Sequence, residues 1–329
     1  MIAPRQQWAH QIAVTSLCWP TTPAGRQTQC SNCTRLLGHE RRRYVMTPDQ
    51  FEQCAKAAAR FPYDSPVDLQ GRTKVVGIFG GEPLMSPYFP DYVDALIAAV
   101  PDDRHRGLWT SVDWRTFAGP KYGVAAPHVR RLLGMNGDRP RRGDGYLNWN
   151  MHGPEQEVRH QPILVAPADA VPDPVRRWQL ISDCWVNREW SAAYALDHHG
   201  QPKFYFCEVA SSFARVFQLE TGIDVEPGCW DGELTFERDT AGVLRPVGKF
   251  AAQILATCGR CGASLPLPGR SDDEQRDDVS STNLAALLAI NSPMAERSDL
   301  VVIPDGDFRY DPSVHAQDWR PNEYLRDSE

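Results

Sequence analysis

With 329 residues, of which 42% are hydrophobic, the chain can bury a sizeable core and is too long for a small disulfide-stapled fold. Its net charge of −7, from 35 basic and 42 acidic side chains, argues against nucleic-acid binding through overall basicity. No apolar run reaches the ~18 residues of a transmembrane helix, and the start, MIAPRQQWAHQ, lacks the apolar stretch of a signal peptide; a cytoplasmic protein with no membrane partner is expected.

In chain order, QIAVTSL (11–17) reads as a buried strand. The basic clusters HERRRY (39–44) and RPRRGD (139–144) read as solvated surface, with an anionic substrate or a nucleic acid as the sharper alternative. Thr47 followed by Pro48 starts a helix, a capping hydroxyl before a proline at the first helical position, and Phe51, Cys54, Ala58 and Phe61 recur at helical spacing. KVVGIF (74–79) is a second strand, FPDYVDALIAAV (89–100) a helix, GLWTS (107–111) a strand, PHVRRLL (127–133) a helix and YLNWNM (146–151) a strand; PILVA (162–166) is a candidate fifth strand. Strand and helix in alternation predict an α/β fold of parallel units, which place chemistry at the carboxyl ends of their strands.

From about residue 172 the pattern changes. DPVRRWQLISDCW reads as a helix running into Cys184. Residues 191–209 read as a β-hairpin with a polar, glycine-containing turn, followed by an amphipathic helix over 208–219. DDVSSTN (277–283) reads as a serine- or threonine-capped helix start, and TNLAALLAI (282–290) as the helix, ahead of an aromatic, proline-bearing tail. No internal repeat appears.

Nine cysteines are an odd number, and disulfides are not expected in a reducing compartment. They fall into two groups, with none between Cys54 and Cys184, which predicts two separate sites. Cys18, Cys30 and Cys33 follow the first strand, and FGGEPL (79–84) follows the second. Two glycines after a strand let a ligand approach the backbone with no Cβ between; Glu82 adds an acceptor and Pro83 fixes the exit of the turn. A tight turn after a buried strand is the plainer reading of GGEP alone; its position beside the cysteine loop gives it weight.

This combination resembles the radical S-adenosylmethionine (radical SAM) superfamily, in which three cysteines of a loop after the first strand bind three irons of a [4Fe–4S] cluster. The usual C-x3-C-x2-C spacing becomes Cys18-x11-Cys30-x2-Cys33 here, with WPTTPAGRQTQ inserted, and the residue before the last cysteine, often aromatic in the family, is Asn32. Four thiolates close a cluster, whereas three leave one iron open. The resemblance implies that the open iron chelates the methionine part of SAM. It also implies that Gly80, Gly81, Glu82 and Pro83 contact SAM, and that polar strand-end residues, Ser111, Asn148 and Asn150, hold its ribose; His152 sits beside them. Ordinary loop polarity is the alternative for these last residues. The chemistry implied is reductive cleavage of SAM to a 5′-deoxyadenosyl radical that abstracts hydrogen from a substrate, with an external reductant such as flavodoxin or ferredoxin.

Cys184, Cys207, Cys258 and Cys261 form a second set, a cysteine before the hairpin, one after it and a later C-x2-C, with Cys229 to spare, a free buried thiol or a replacement for one of the four. The layout resembles the SPASM/Twitch extension of radical SAM enzymes and implies one auxiliary [4Fe–4S] cluster, hence two clusters in all. A structural zinc site of four thiolates uses the same ligands, and a non-enzymatic zinc-stabilised binding module is the competing class. The expected architecture is a partial (β/α)6 TIM-like barrel over 8–170, a small α+β auxiliary-cluster domain over 171–265 and a tail over 266–329 that packs back. The substrate is not written in the sequence; a small metabolite, nucleotide or sugar is favoured over a peptide. His198 and His199 in the hairpin turn read as exposed polarity, and His160 either as a residue facing the barrel mouth or as a capping or packing residue. No G-x-S-x-G, P-loop or dinucleotide fingerprint is present.

Overall fold

The computed structural model of the chain describes residues 7–18, 30–61, 73–112, 125–136, 144–149, 159–230, 235–267, 269–271 and 274–303. The strands are β1 (Ala9–Ala13), β2 (Val75–Phe79), β3 (Arg106–Thr110), β4 (Tyr146–Trp149), β5 (Arg159–His160), β6 (Ser191–Leu196), β7 (Pro202–Tyr205), β8 (Ile223–Asp224), β9 (Thr235–Arg238), β10 (Leu244–Val247), β11 (Arg270–Ser271), β12 (Asp277–Val279) and β13 (Leu300–Val302). The α-helices are α1 (Pro48–Ala58), α2 (Phe89–Ala99), α3 (Ala126–Leu133), α4 (Pro167–Ala170), α5 (Pro174–Ser182), α6 (Glu208–Val216), α7 (Ala251–Thr257), α8 (Ser281–Ala289) and α9 (Pro293–Glu296).

Seven strands make one mostly parallel sheet in the order β4-β3-β2-β1-β6-β7-β8. The first four strands are parallel and in sequence order, and β6 lies parallel on the other side of β1, pairing Ala9 with Ser191 and Ala13 with Ala195. β7 and β8 extend that side antiparallel. Among the described strands β4 and β8 are edges and the sheet is not closed. The expected α/β class is therefore observed as a helix-flanked sheet, and barrel closure is not seen. The hairpin β6–β7, expected beyond a boundary near 170, adds to the same sheet as β1, and one hydrophobic cluster joins Ile12, Val76 and Ile78 to Tyr194, Phe213 and Ile254.

Local chemistry explains the elements read correctly. Thr47 accepts the Gln50 amide while the Gln50 side chain accepts the Thr47 amide, so α1 begins in a reciprocal capping box with proline at its first position. The amphipathic spacing buries Phe51, Cys54 and Ala58.

Three expectations need correction. The first strand ends at Ala13, because Thr15 and Leu17 spend their carbonyls on residues 81 and 82. PILVA is not a strand: Pro162 has no amide to give, and the run hydrogen-bonds irregularly, the Ile163 carbonyl accepting from Gly262 and the Leu164 carbonyl from Ser280. Helix α8 does start after Ser280, but that hydroxyl makes no cap bond and instead accepts the Ala166 amide, while Asp277–Val279 ahead of it forms β12. The described part of the tail packs back as expected, with β11 pairing β5 and β12 pairing β13.

Candidate functional site

The two glycines after β2 lie against the chain just before Cys18. The Gly81 amide donates to the Thr15 carbonyl at 2.7 Å, and the Glu82 amide to the Leu17 carbonyl at 2.7 Å. Gly80 has φ +150°, a backbone state that side chains disfavour. A Cβ on Gly81 would stand 2.1 Å from the Leu17 carbonyl oxygen, so this approach admits glycine alone. The segments that sequence separates by about sixty residues are thus laced together at the carboxyl ends of β1 and β2.

Glu82 is 1% exposed, and it does not point to solvent. Its carboxylate accepts from Thr110 Oγ1 at 2.8 Å, from the Ser111 amide at 2.8 Å, from Ser111 Oγ at 2.7 Å and from the Leu84 amide at 3.1 Å. Burial pushes the Glu82 carboxyl above the usual carboxylate range, against the pull of these donors. Ser111 therefore braces Glu82 from the end of β3. Pro83 is buried at the start of a 3-10 turn, Pro83–Met85. Of the other residues expected near a ribose, Asn148 lies within β4, while Asn150 and His152 fall outside the described residues.

Cys18, Cys30 and Cys33 are half-buried. Burial pushes the Cys18 thiol up, and the proximity of Cys33 pushes it further. Burial also raises Cys33, while the backbone amides of Arg35 and Leu37 donate to its sulfur and favour a thiolate. Such N–H···S bonds are what a cluster-ligating cysteine uses. Cys30 stands three residues before Cys33 in the same loop.

That loop is tied down by the C-terminal segment. Asn32, at φ +51°, donates its amide to Asp277 Oδ1 at 2.5 Å and its side-chain nitrogen to Asp278 Oδ2 at 3.0 Å and to the His160 carbonyl at 3.2 Å; its side-chain oxygen accepts the Asp278 amide at 2.8 Å. His39 Nε2 lies 2.9 Å from Asp277 Oδ2 and His39 Nδ1 2.7 Å from Ser292 Oγ, all three buried. An asparagine stands before the last cysteine because it is the knot between two segments and tolerates the left-handed conformation. We expect Asn32→Ala to destabilise the fold by about 3 kcal/mol, from unpaired buried groups and a strained φ. Asn32→Asp should cost more, because it faces two carboxylates. Denaturant melts of the three proteins check the order.

Arg35, 2% exposed, reaches from this loop to α6: its guanidinium donates to Ser211 Oγ at 2.6 Å, to Ser212 Oγ at 2.9 Å and to the Glu208 carbonyl at 3.3 Å, and it lies 5.4 Å over the Phe79 ring. Glu208 in turn accepts from Trp190 Nε1 at 3.2 Å and Ser191 Oγ at 3.0 Å. The residue after Cys207 is thereby joined to the residue two after Cys33. Sequence inspection missed Asn32, Arg35, Glu208, Asp277 and Asp278 as site residues; their charges and amides carry no periodicity, and only the fold shows that they are buried.

The second group converges. Cys184, Cys207, Cys258 and Cys261 are each 5–8% exposed and line one small pocket, partly open to solvent, with Ile181, Asn187, Phe206 and Thr257. Cys184 follows α5, Cys207 precedes α6, and Cys258 caps α7, so three helix ends deliver three thiols. A π-helical turn, Val186–Trp190, places Asn187 Nδ2 3.9 Å from Cys258 Sγ. Burial and the neighbouring thiols Cys184 and Cys261 push Cys207 well up; burial, Cys184 and Cys258 do the same to Cys261. The Ala210 and Ala263 amides donate to the Cys207 and Cys261 sulfurs. Four buried, mutually repelling thiols need a cationic centre to be held as thiolates.

Four thiolates are a donor set that a zinc ion and an iron–sulfur cluster both use. Cys229 stands apart, its sulfur 3.8 Å from Tyr194 Oη and close to Cys54, and no disulfide joins any two of the nine cysteines.

No protein-family model matches the chain, and no characterised protein matches it significantly. Among the described residues no helix is long and apolar enough to cross a membrane.

Proposed function

We propose that the chain is a radical SAM enzyme with one catalytic and one auxiliary iron–sulfur centre. The observation that carries this reading is the hydrogen-bonded contact of Gly81 and Glu82 with Thr15 and Leu17, immediately before Cys18. The sequential parallel order of β1 to β4 supports a barrel-like frame, since it is the order in which such frames begin. The pocket lined by Cys184, Cys207, Cys258 and Cys261 supports a Twitch-like auxiliary centre.

On this reading Cys18, Cys30 and Cys33 hold the catalytic cluster and residues 80–83 line the SAM methionine site. A [4Fe–4S] cluster held there would pass an electron from the external reductant to SAM, and the chemistry it would supply is reductive C5′–S cleavage leading to hydrogen abstraction from the substrate. The Arg35 and Leu37 amides hold the Cys33 sulfur as a ligand, and Asn32 fixes the loop. Ser111 and Thr110 fix Glu82, so that the backbone of Gly80 and Gly81 presents its polar groups at a set distance. The substrate class is a small metabolite, nucleotide or sugar, and the electron donor a flavodoxin or ferredoxin, in a cytoplasmic setting.

The test is anaerobic reconstitution followed by assay of 5′-deoxyadenosine from SAM under a chemical reductant. Wild-type protein should form it. Cys30→Ala and Cys33→Ala should lower the rate by more than about 100-fold, because no other group supplies the electron. Equal rates in wild type and both variants would sink the proposal.

A further inference from the structure

We infer that the tip of the β6–β7 hairpin is a divalent transition-metal site, built from His198, His199 and Glu220 and independent of the cysteine centres. His198 Nε2 lies 3.1 Å from Glu220 Oε1, and His199 Nε2 lies 3.0 Å from the same oxygen. The two imidazole rings are neighbours, with centroids 3.9 Å apart. All three ligand atoms lie within 4.8 Å of one another, the one such group among the described residues.

The geometry fits a metal. Imidazole nitrogen and carboxylate oxygen bind zinc at about 2.1 Å, which sets ligand atoms of a tetrahedral sphere about 3.4 Å apart. The two nitrogen–oxygen separations need to open by only a few tenths of an ångström. Two imidazoles and one carboxylate select zinc, nickel or copper over calcium and magnesium, which prefer all-oxygen ligands. Three protein ligands leave a coordination position for water.

Side chains of consecutive residues in a turn usually diverge, and here the backbone is held so that these converge. Asp197 Oδ1 accepts the amides of His199 and Gln201, at 2.9 Å and 2.8 Å. Gln50 of α1 donates to the Gly200 carbonyl at 2.9 Å, and Arg215 of α6 donates to the Asp197 carbonyl at 2.5 Å. Glu220 is presented by the turn after α6, where the Leu219 amide donates to the Ala214 carbonyl at 2.8 Å. Both ligand-bearing turns are thus anchored to helices before any metal arrives, and little ordering entropy opposes binding. The His198 side chain is mostly buried, at 17% exposure, whereas His199 and Glu220 open to solvent at 61% and 70%. A metal ion would clip the hairpin tip to the segment that follows α6.

Isothermal titration of nickel chloride into the iron-loaded protein tests this, because the clusters then occupy the thiols. One nickel per chain is expected, with micromolar affinity. His199→Ala, an exposed substitution that should leave the fold intact, is expected to weaken binding at least about 10-fold, and His198→Ala/His199→Ala to abolish it. Glu220→Gln should weaken it less. Far-UV circular dichroism checks that each variant is folded. No saturable heat at about 100 µM metal, or equal binding by wild type and the folded double variant, overturns the site.

Discussion

Gly81→Ala is expected to cost the fold about 3 kcal/mol or more and, on the proposed reading, to remove SAM cleavage with it. A Cβ at this position would stand 2.1 Å from the Leu17 carbonyl oxygen and 2.9 Å from its carbon, both backbone atoms that no rotamer change can move. Overpacking against side chains costs roughly 1–3 kcal/mol. Against a main chain already committed to hydrogen bonds with Gly81 and Glu82, the upper end applies. The strands must part, and the Cys18 segment moves away from the glycines. Gly259→Ala is the control, since a Cβ there meets nothing within 4 Å. Urea denaturation and 5′-deoxyadenosine assays of the two variants should diverge sharply. A Gly81→Ala protein as stable and active as Gly259→Ala would show that the close approach is not needed.

The second large effect concerns the auxiliary centre. Wild-type protein purified without oxygen should carry about eight irons and eight sulfides, as two four-iron clusters require. Cys207→Ala opens one corner of the second centre and leaves three buried thiols facing a cavity, so the iron count should fall to about four. The remaining four should still support SAM-binding spectra, because Cys18, Cys30 and Cys33 are untouched. Thermal stability should drop as well, since the thiols lie at the ends of α5, α6 and α7, and a metal centre held there would join these three helices. Iron and zinc analysis decides: one zinc and no iron at this position would mean a structural ion and would support the binding-module class.

Much of the frame was readable from local pattern. The Thr47–Pro48 start, the helix at 89–100 and the strand at 74–79 each rest on chemistry within a few residues, and each appears within a residue or two of expectation. The grouping of Cys184, Cys207, Cys258 and Cys261 was also legible, from their placement around the hairpin, and the four line one pocket. What failed was non-local. PILVA has the composition of a strand, yet its carbonyls go to Gly262, Ser280 and Asn283, partners that composition does not name. The hairpin was legible, but its place against β1 was not, since strand neighbours in a sheet are set by packing over long separations. Asn32 looked like a departure from a familiar pattern, and its reason lies 245 residues away in Asp277.

That distance has a consequence for how the protein matures. On the ribosome, the loop at 30–39 emerges long before the segment that fastens it, and chain elongation proceeds at roughly 5–20 residues per second. Until Asp277, Asp278 and Ser292 have been synthesised, the His39 ring lacks both its partners and Asn32 lacks its two carboxylates. On the reading proposed above, iron delivery to that loop belongs after translation of residue 292, and a nascent chain arrested before Asp277 should not retain iron there.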